Sequence, residues 1–139
     1  MDGIFSLPDD IGNLTQLRQL MLYGNNLTSL PDSIGNLASL TYLDIFQNHI
    51  TVLPDSIRHL SHLQTLRIRS NQLTSLRSGV VDFTGLISID AAQNNLTSLP
   101  DNIGDLTNLQ TLWIYRNGAL TSLPDSIGNI TGLSLLDVR

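Results

Sequence analysis

The chain has 139 residues, 41 % of them hydrophobic, which is enough for one domain with a sizeable core and too apolar for disorder. Its formal net charge of −5 repels phosphate backbones and anionic lipid surfaces, excluding nucleic acid and membrane as general partners. All twelve acids are Asp and all seven fixed cations are Arg, and no cysteine is present to form disulfides or act as a nucleophile.

In chain order, the first recognisable element is the turn Leu7-Pro8-Asp9. The same wording returns at Leu30, Leu53, Leu99 and Leu123, each time with an Ile four residues after the Leu, and it contains all five prolines. A unit begins at Leu14, Leu37, Leu60, Phe83, Leu106 and Ile130, spaced by 23 residues except for the last step of 24. Written out, the unit is LxxLxxLxLxxNxLTSLPDSIGN.

Each column of this repeat has a physical reading. Leu20, Leu43, Leu66, Ile89, Leu112 and Leu136 are expected to face inward from short strands, as are Leu22, Ile45, Ile68, Ala91, Ile114 and Val138 two residues on. One unit cannot bury these side chains alone, whereas stacked units make them a continuous core. Asn25, Asn48, Asn71, Asn94 and Asn117 form a ladder whose amides can satisfy backbone groups left unpaired by the turning chain. The Pro-Asp-Ser-Ile segment predicts a short helical turn on the opposite side, with Pro at its first position and Asp or Ser capping it. Two departures stand out. Leu76-Arg77-Ser78-Gly79-Val80 replaces the Leu-Pro-Asp-Ser-Ile wording, so a different outer turn is expected there. Asn117-Gly118-Ala119-Leu120 carries one extra residue, for which positive φ at Gly118 and a small bulge are expected.

A fixed period with LxxLxLxxNxL inside it resembles the leucine-rich repeat. The Leu-Pro-Asp-x-Ile-Gly-Asn-Leu unit is similar to repeats of Ras-group and Roco-type proteins and of bacterial repeat proteins. The resemblance covers nearly the whole chain. It implies an α/β, right-handed solenoid, with a parallel β-sheet on the concave face and short helical or 3-10 turns on the convex side. It also implies that ligands dock on the strands. About five full repeats with partial ends, and no recognisable caps, are expected to form one domain over residues 1–139. Extracellular proteins of this kind commonly close their ends with disulfides. The lack of cysteine, of a signal-like start and of any apolar run near the roughly 18 residues that span a bilayer points to the cytoplasm.

Alternation along the strands gives the outward positions. The first column is Gln19, Tyr42, Thr65, Ser88, Thr111 and Leu135. The second is Met21, Asp44, Arg67, Asp90, Trp113 and Asp137. The third is Tyr23, Phe46, Arg69, Ala92, Tyr115 and Arg139. All three Tyr and the single Trp fall in these columns, although the Leu ladders already supply a core. Aromatics and Arg on an exposed face are what interfaces enrich. The candidate partner-binding residues are therefore Tyr23, Tyr42, Asp44, Phe46, Arg67, Arg69, Asp90, Trp113 and Tyr115, with Arg116 beside them. Asp44, Arg67 and Asp90 are expected to form a rung of exposed, mutually neutralising charge, and Arg69 to stack on Phe46. Ala92 predicts a dip walled by Asp90, Trp113 and Tyr115, suited to a basic side chain.

Chemistry-bearing motifs are absent. His59 and His62 flank a repeat boundary and lack the further ligands that a metal site needs. The Asp-rich turns recur with the repeat and do not follow calcium-loop spacing. No phosphate loop or catalytic triad is present, and no cofactor is expected. The leading expectation is a non-enzymatic module that binds a protein or peptide. Two others stand beside it: a recognition segment of a larger signalling enzyme or effector, and a fragment that associates with itself through uncapped ends.

Overall fold

In a computed structural model describing residues 3–76 and 82–139, the chain coils so that every repeat adds one strand to a single sheet. The strands are β1 (Gln19–Met21), β2 (Tyr42–Asp44), β3 (Thr65–Arg67), β4 (Ser88–Asp90), β5 (Thr111–Trp113) and β6 (Leu135–Asp137). They lie side by side in sequence order and all neighbours are parallel. The register follows the repeat: Leu20, Leu43, Leu66, Ile89, Leu112 and Leu136 form one row. The Leu, Ile and Phe83 positions of the middle repeats are fully buried, so stacking completes the core that one repeat could not. At the two ends of the coil the same kinds of position open out, with Leu14 50 % and Leu136 40 % exposed.

The outer turns are 3-10 helices at Asp9–Asn13, Asp32–Asn36, Asp55–His59, Ile103–Asp105 and Asp125–Asn129. The expected capping is corrected here. In four of them Pro precedes the first turn in an extended conformation, and no Asp or Ser side chain caps any of the five. Closure comes from the backbone instead, as where the Ile34 amide donates to the Pro31 carbonyl at 3.0 Å. Among the described residues the Ser33 and Ser56 hydroxyls are buried without a hydrogen-bond partner. Each of these two turns packs closely on the glycine of the one before it: a Cβ added at Gly12 would lie 2.6 Å from the Ser33 carbonyl oxygen and 2.8 Å from its Cβ. The different outer turn expected at Arg77–Val80 lies outside the described residues.

The Asn ladder matches its expected role. Asn71 Oδ1 accepts from the Ile50 amide at 3.0 Å, while its Nδ2 donates to the carbonyls of Ile45 and Ile68 at 2.9 and 3.1 Å. Asn48 and Asn94 repeat the pattern one step to either side. The residue before each Asn shares a backbone conformation that its side chain does not signal. Gly24, Gln47, Ser70, Gln93 and Arg116 all have φ between 54° and 69°. Four of the five have a side chain, which costs roughly 1–2 kcal/mol in this left-handed region. Amide donation to the next repeat, such as Gln47 N to Arg69 O at 3.0 Å, offsets that strain. Gly118 is not in this region, correcting the expected bulge. The extra residue is taken up by a turn in which the Leu120 amide donates to the Asn117 carbonyl at 3.0 Å.

Candidate concave-face binding site

Parallel pairing places the expected outward columns on one face. Hydrogen bonds such as Ile68 N to Asp90 O and Ser70 N to Ala92 O carry the alignment past the strands into the third column. Not all candidate residues are displayed alike. Asp44 is only 2 % exposed, so it is not part of an exposed charged rung. Its Oδ2 lies 2.7 Å from Arg67 Nη1, and its Oδ1 accepts from the Phe46 amide at 3.0 Å. Arg67 also donates to the Tyr42 hydroxyl at 3.2 Å. That hydrogen bond is the main cause raising the Arg67 pKa, opposed by burial and aided by the Asp44 charge.

The aromatic and guanidinium groups interleave. Arg67 lies 5.9 Å and Arg69 5.6 Å from the centroid of Phe46, and Arg69 is also 5.5 Å from the centroid of Tyr115. The expected stacking of Arg69 on Phe46 is therefore present, with Tyr115 on a second contact. Arg69 Nε donates to Gln93 Oε1 at 2.8 Å, and the same oxygen accepts from Ser70 Oγ at 2.7 Å.

A hollow of about 470 Å³ lies on this face, bordered by Arg67, Arg69, Asp90, Trp113, Tyr115 and Asp137 among others. Three of these form the walls expected from sequence. Its floor does not match: Ala92 is fully buried and does not line it. Thr65, Ser88, Asp137 and Arg139 also border the hollow, although they are not among the residues expected from sequence to form the site. Their column positions were legible, but small polar residues and the last strand carried no aromatic signal. The Arg139 guanidinium donates to Asp137 twice, at 2.9 and 2.7 Å, and this side-chain hydrogen bonding holds the Asp137 carboxyl below the usual range. Arg116 lines an adjoining dip of about 380 Å³ with Arg69, Tyr115 and Arg139. Tyr23, 58 % exposed on the first repeat, borders neither.

Asp90 is the least compensated carboxylate in the hollow. Its Oδ1 accepts a 3.3 Å hydrogen bond from the Ala92 amide. Burial pushes its pKa up, against the lowering pull of that hydrogen bond and of Arg69 and Arg67. The two histidines that flank Leu60 have separate neighbours, His59 beside Arg58 and His62 against the Ala38 carbonyl. Among the described residues no group of His, Cys, Asp or Glu has the arrangement to hold a metal ion.

Comparison with known proteins agrees with this architecture. No curated protein sequence matches the chain. A leucine-rich-repeat protein of Leptospira interrogans is similar in structure, with 27 % identity, a TM-score of 0.65, and coverage of 96 % of this chain and 47 % of that one. A TDR receptor is also 27 % identical, with a TM-score of 0.85 over 96 % of this chain and 24 % of its own. The ectodomain of the plant membrane receptor kinase GASSHO1/SCHENGEN3 from Arabidopsis thaliana, in complex with Casparian strip integrity factor 2, is 25 % identical with a TM-score of 0.72. It is covered over 19 % of its length by 96 % of this chain. The chain thus spans less than half the length of these proteins. The family described as leucine-rich repeat region matches over residues 5–91 and 32–139. With its repeat wording, stacked strands and Asn ladder, the chain belongs to the leucine-rich-repeat family.

Proposed function

We propose that this chain is a non-enzymatic module that binds a protein or peptide on its concave strand face. The observation that carries the reading is the hollow at β3–β6, where Trp113 and Tyr115 stand beside Arg and Asp side chains. Folding does not require aromatic groups there, because the buried Leu and Ile rows already form the core. Half-exposed aromatics flanked by Arg are the residues that dominate protein interfaces. That a solved relative is a receptor ectodomain held with a named factor supports a peptide or protein partner for this fold. The net negative charge favours neither nucleic acid nor an anionic membrane. The lack of cysteine favours a reducing compartment such as the cytoplasm.

The test is affinity capture from a cell extract by the chain and by a Trp113→Ala/Tyr115→Ala variant with an unchanged melting midpoint. A partner held by the parent and lost by the variant is the expected result. Equal capture by both overturns the assignment of the face. A second reading makes the chain a recognition segment of a larger signalling enzyme or effector. It is favoured by the fact that the chain spans 47 % or less of its structural relatives.

A further inference from the structure

Arg69 and Asp90 border one hollow on neighbouring repeats and carry opposite charges, yet they do not form an ion pair within 4.0 Å. The other charges there are matched. Arg67 is held by Asp44 at 2.7 Å and Arg139 by Asp137 at 2.7 Å. Arg69 is fixed in place by Phe46, Tyr115 and the Nε bond to Gln93, while its two terminal amino groups make no hydrogen bond within the described residues. Asp90 uses Oδ1 on the Ala92 amide, and its Oδ2 has no partner among the described residues. The hollow therefore offers donors on one side and an acceptor on the other, with no net charge left over.

Resting on the concave-face reading above, we infer that this hollow selects the side-chain carboxamide of a Gln or Asn in an extended peptide. A ligand carboxylate would satisfy Arg69 but face Asp90 with like charge. A ligand ammonium or guanidinium would satisfy Asp90 but face Arg69. An apolar side chain would leave both groups desolvated and unmet. A primary carboxamide carries a C=O acceptor and N–H donors on one carbon and answers both groups without adding charge. Trp113 and Tyr115 supply the walls that exclude water around the amide.

The probe is a library of random dodecapeptides displayed on phage and panned on the immobilised chain, followed by synthetic peptides of the enriched sequence. The expected result is an enriched Gln or Asn, with replacement by Glu or by Lys weakening binding about tenfold or more. In Asp90→Ser the Glu peptide gains on the Gln peptide. In Arg69→Gln the Lys peptide gains instead. Enrichment of an acidic or a basic residue at that position, or a Gln preference unchanged in Asp90→Ser, overturns the inference. Binding is also measured on Trp113→Ala. Peptides that depend on Trp113 but show no carboxamide preference overturn this inference alone. An absence of any Trp113-dependent peptide overturns the concave-face reading with it.

Discussion

The Asp44 carboxylate is buried against the sheet and receives Arg67 Nη1 at 2.7 Å, so one member of the pair is hidden while the other, 40 % exposed, reaches solvent. The hidden member orients the exposed one. Asp44→Ala removes the counter-charge and the acceptor of the Phe46 amide together. Its expected cost is about 1–3 kcal/mol, less than for a fully buried pair because Arg67 can turn to water. A lower urea midpoint for Asp44→Ala checks this. Asp44→Asn keeps an acceptor for Phe46 and is expected to lose less.

The Asn ladder has unequal weak points. The Ile45 carbonyl accepts from both Asn48 and Asn71, and the Ile68 carbonyl from both Asn71 and Asn94. The Ile50 amide instead depends on Asn71 Oδ1. Asn71→Ala is expected to cost about 2–3 kcal/mol, chiefly from that orphaned donor. Asn71→Asp is expected to cost more, because a carboxylate would then face the carbonyls of Ile45, Ile68 and Arg69. Urea denaturation of the two variants ranks them.

Glycine in the outer turn is a packing requirement with a location. A Cβ at Gly35 would collide with the Ser56 carbonyl of the next repeat, whereas one at Gly128 meets nothing within 4 Å. Gly35→Ala is expected to destabilise by about 1–3 kcal/mol and Gly128→Ala to be near neutral in this chain. Arg58 occupies the same column where the following repeat lacks the Pro-Asp-Ser wording, in keeping with this rule. Thermal melting of the pair of alanine variants decides it.

Burial raises the Asp90 pKa above its ordinary 3.8, which fixes the sign of a pH effect. As pH rises from about 3.8, the unfolded chain releases this proton before the folded chain does, so folding stability falls. Above the folded value the penalty is constant. Asp90→Asn keeps an acceptor for Ala92 and removes the penalty. It is expected to be more stable than the parent at neutral pH, by less than about 1 kcal/mol because Asp90 is partly solvated. The advantage is expected to vanish in acid, as followed by urea midpoints across pH.

The period, the inward rows, the Asn ladder and the outward columns are legible in the residues alone. Those features depend on one-dimensional spacing, since stacked copies of a unit must align equal positions. The sequence also located Asp90, Trp113 and Tyr115 as walls. What the outward side chains do emerges in the folded coil, because each leans on a neighbour one repeat away. Asp44 turned inward under Arg67, Arg69 settled between Phe46 and Tyr115, and Ala92 disappeared beneath the surface. The left-handed column before each Asn was equally hidden, because inter-repeat hydrogen bonds hold Gln47, Ser70, Gln93 and Arg116 in a conformation that their identities do not announce.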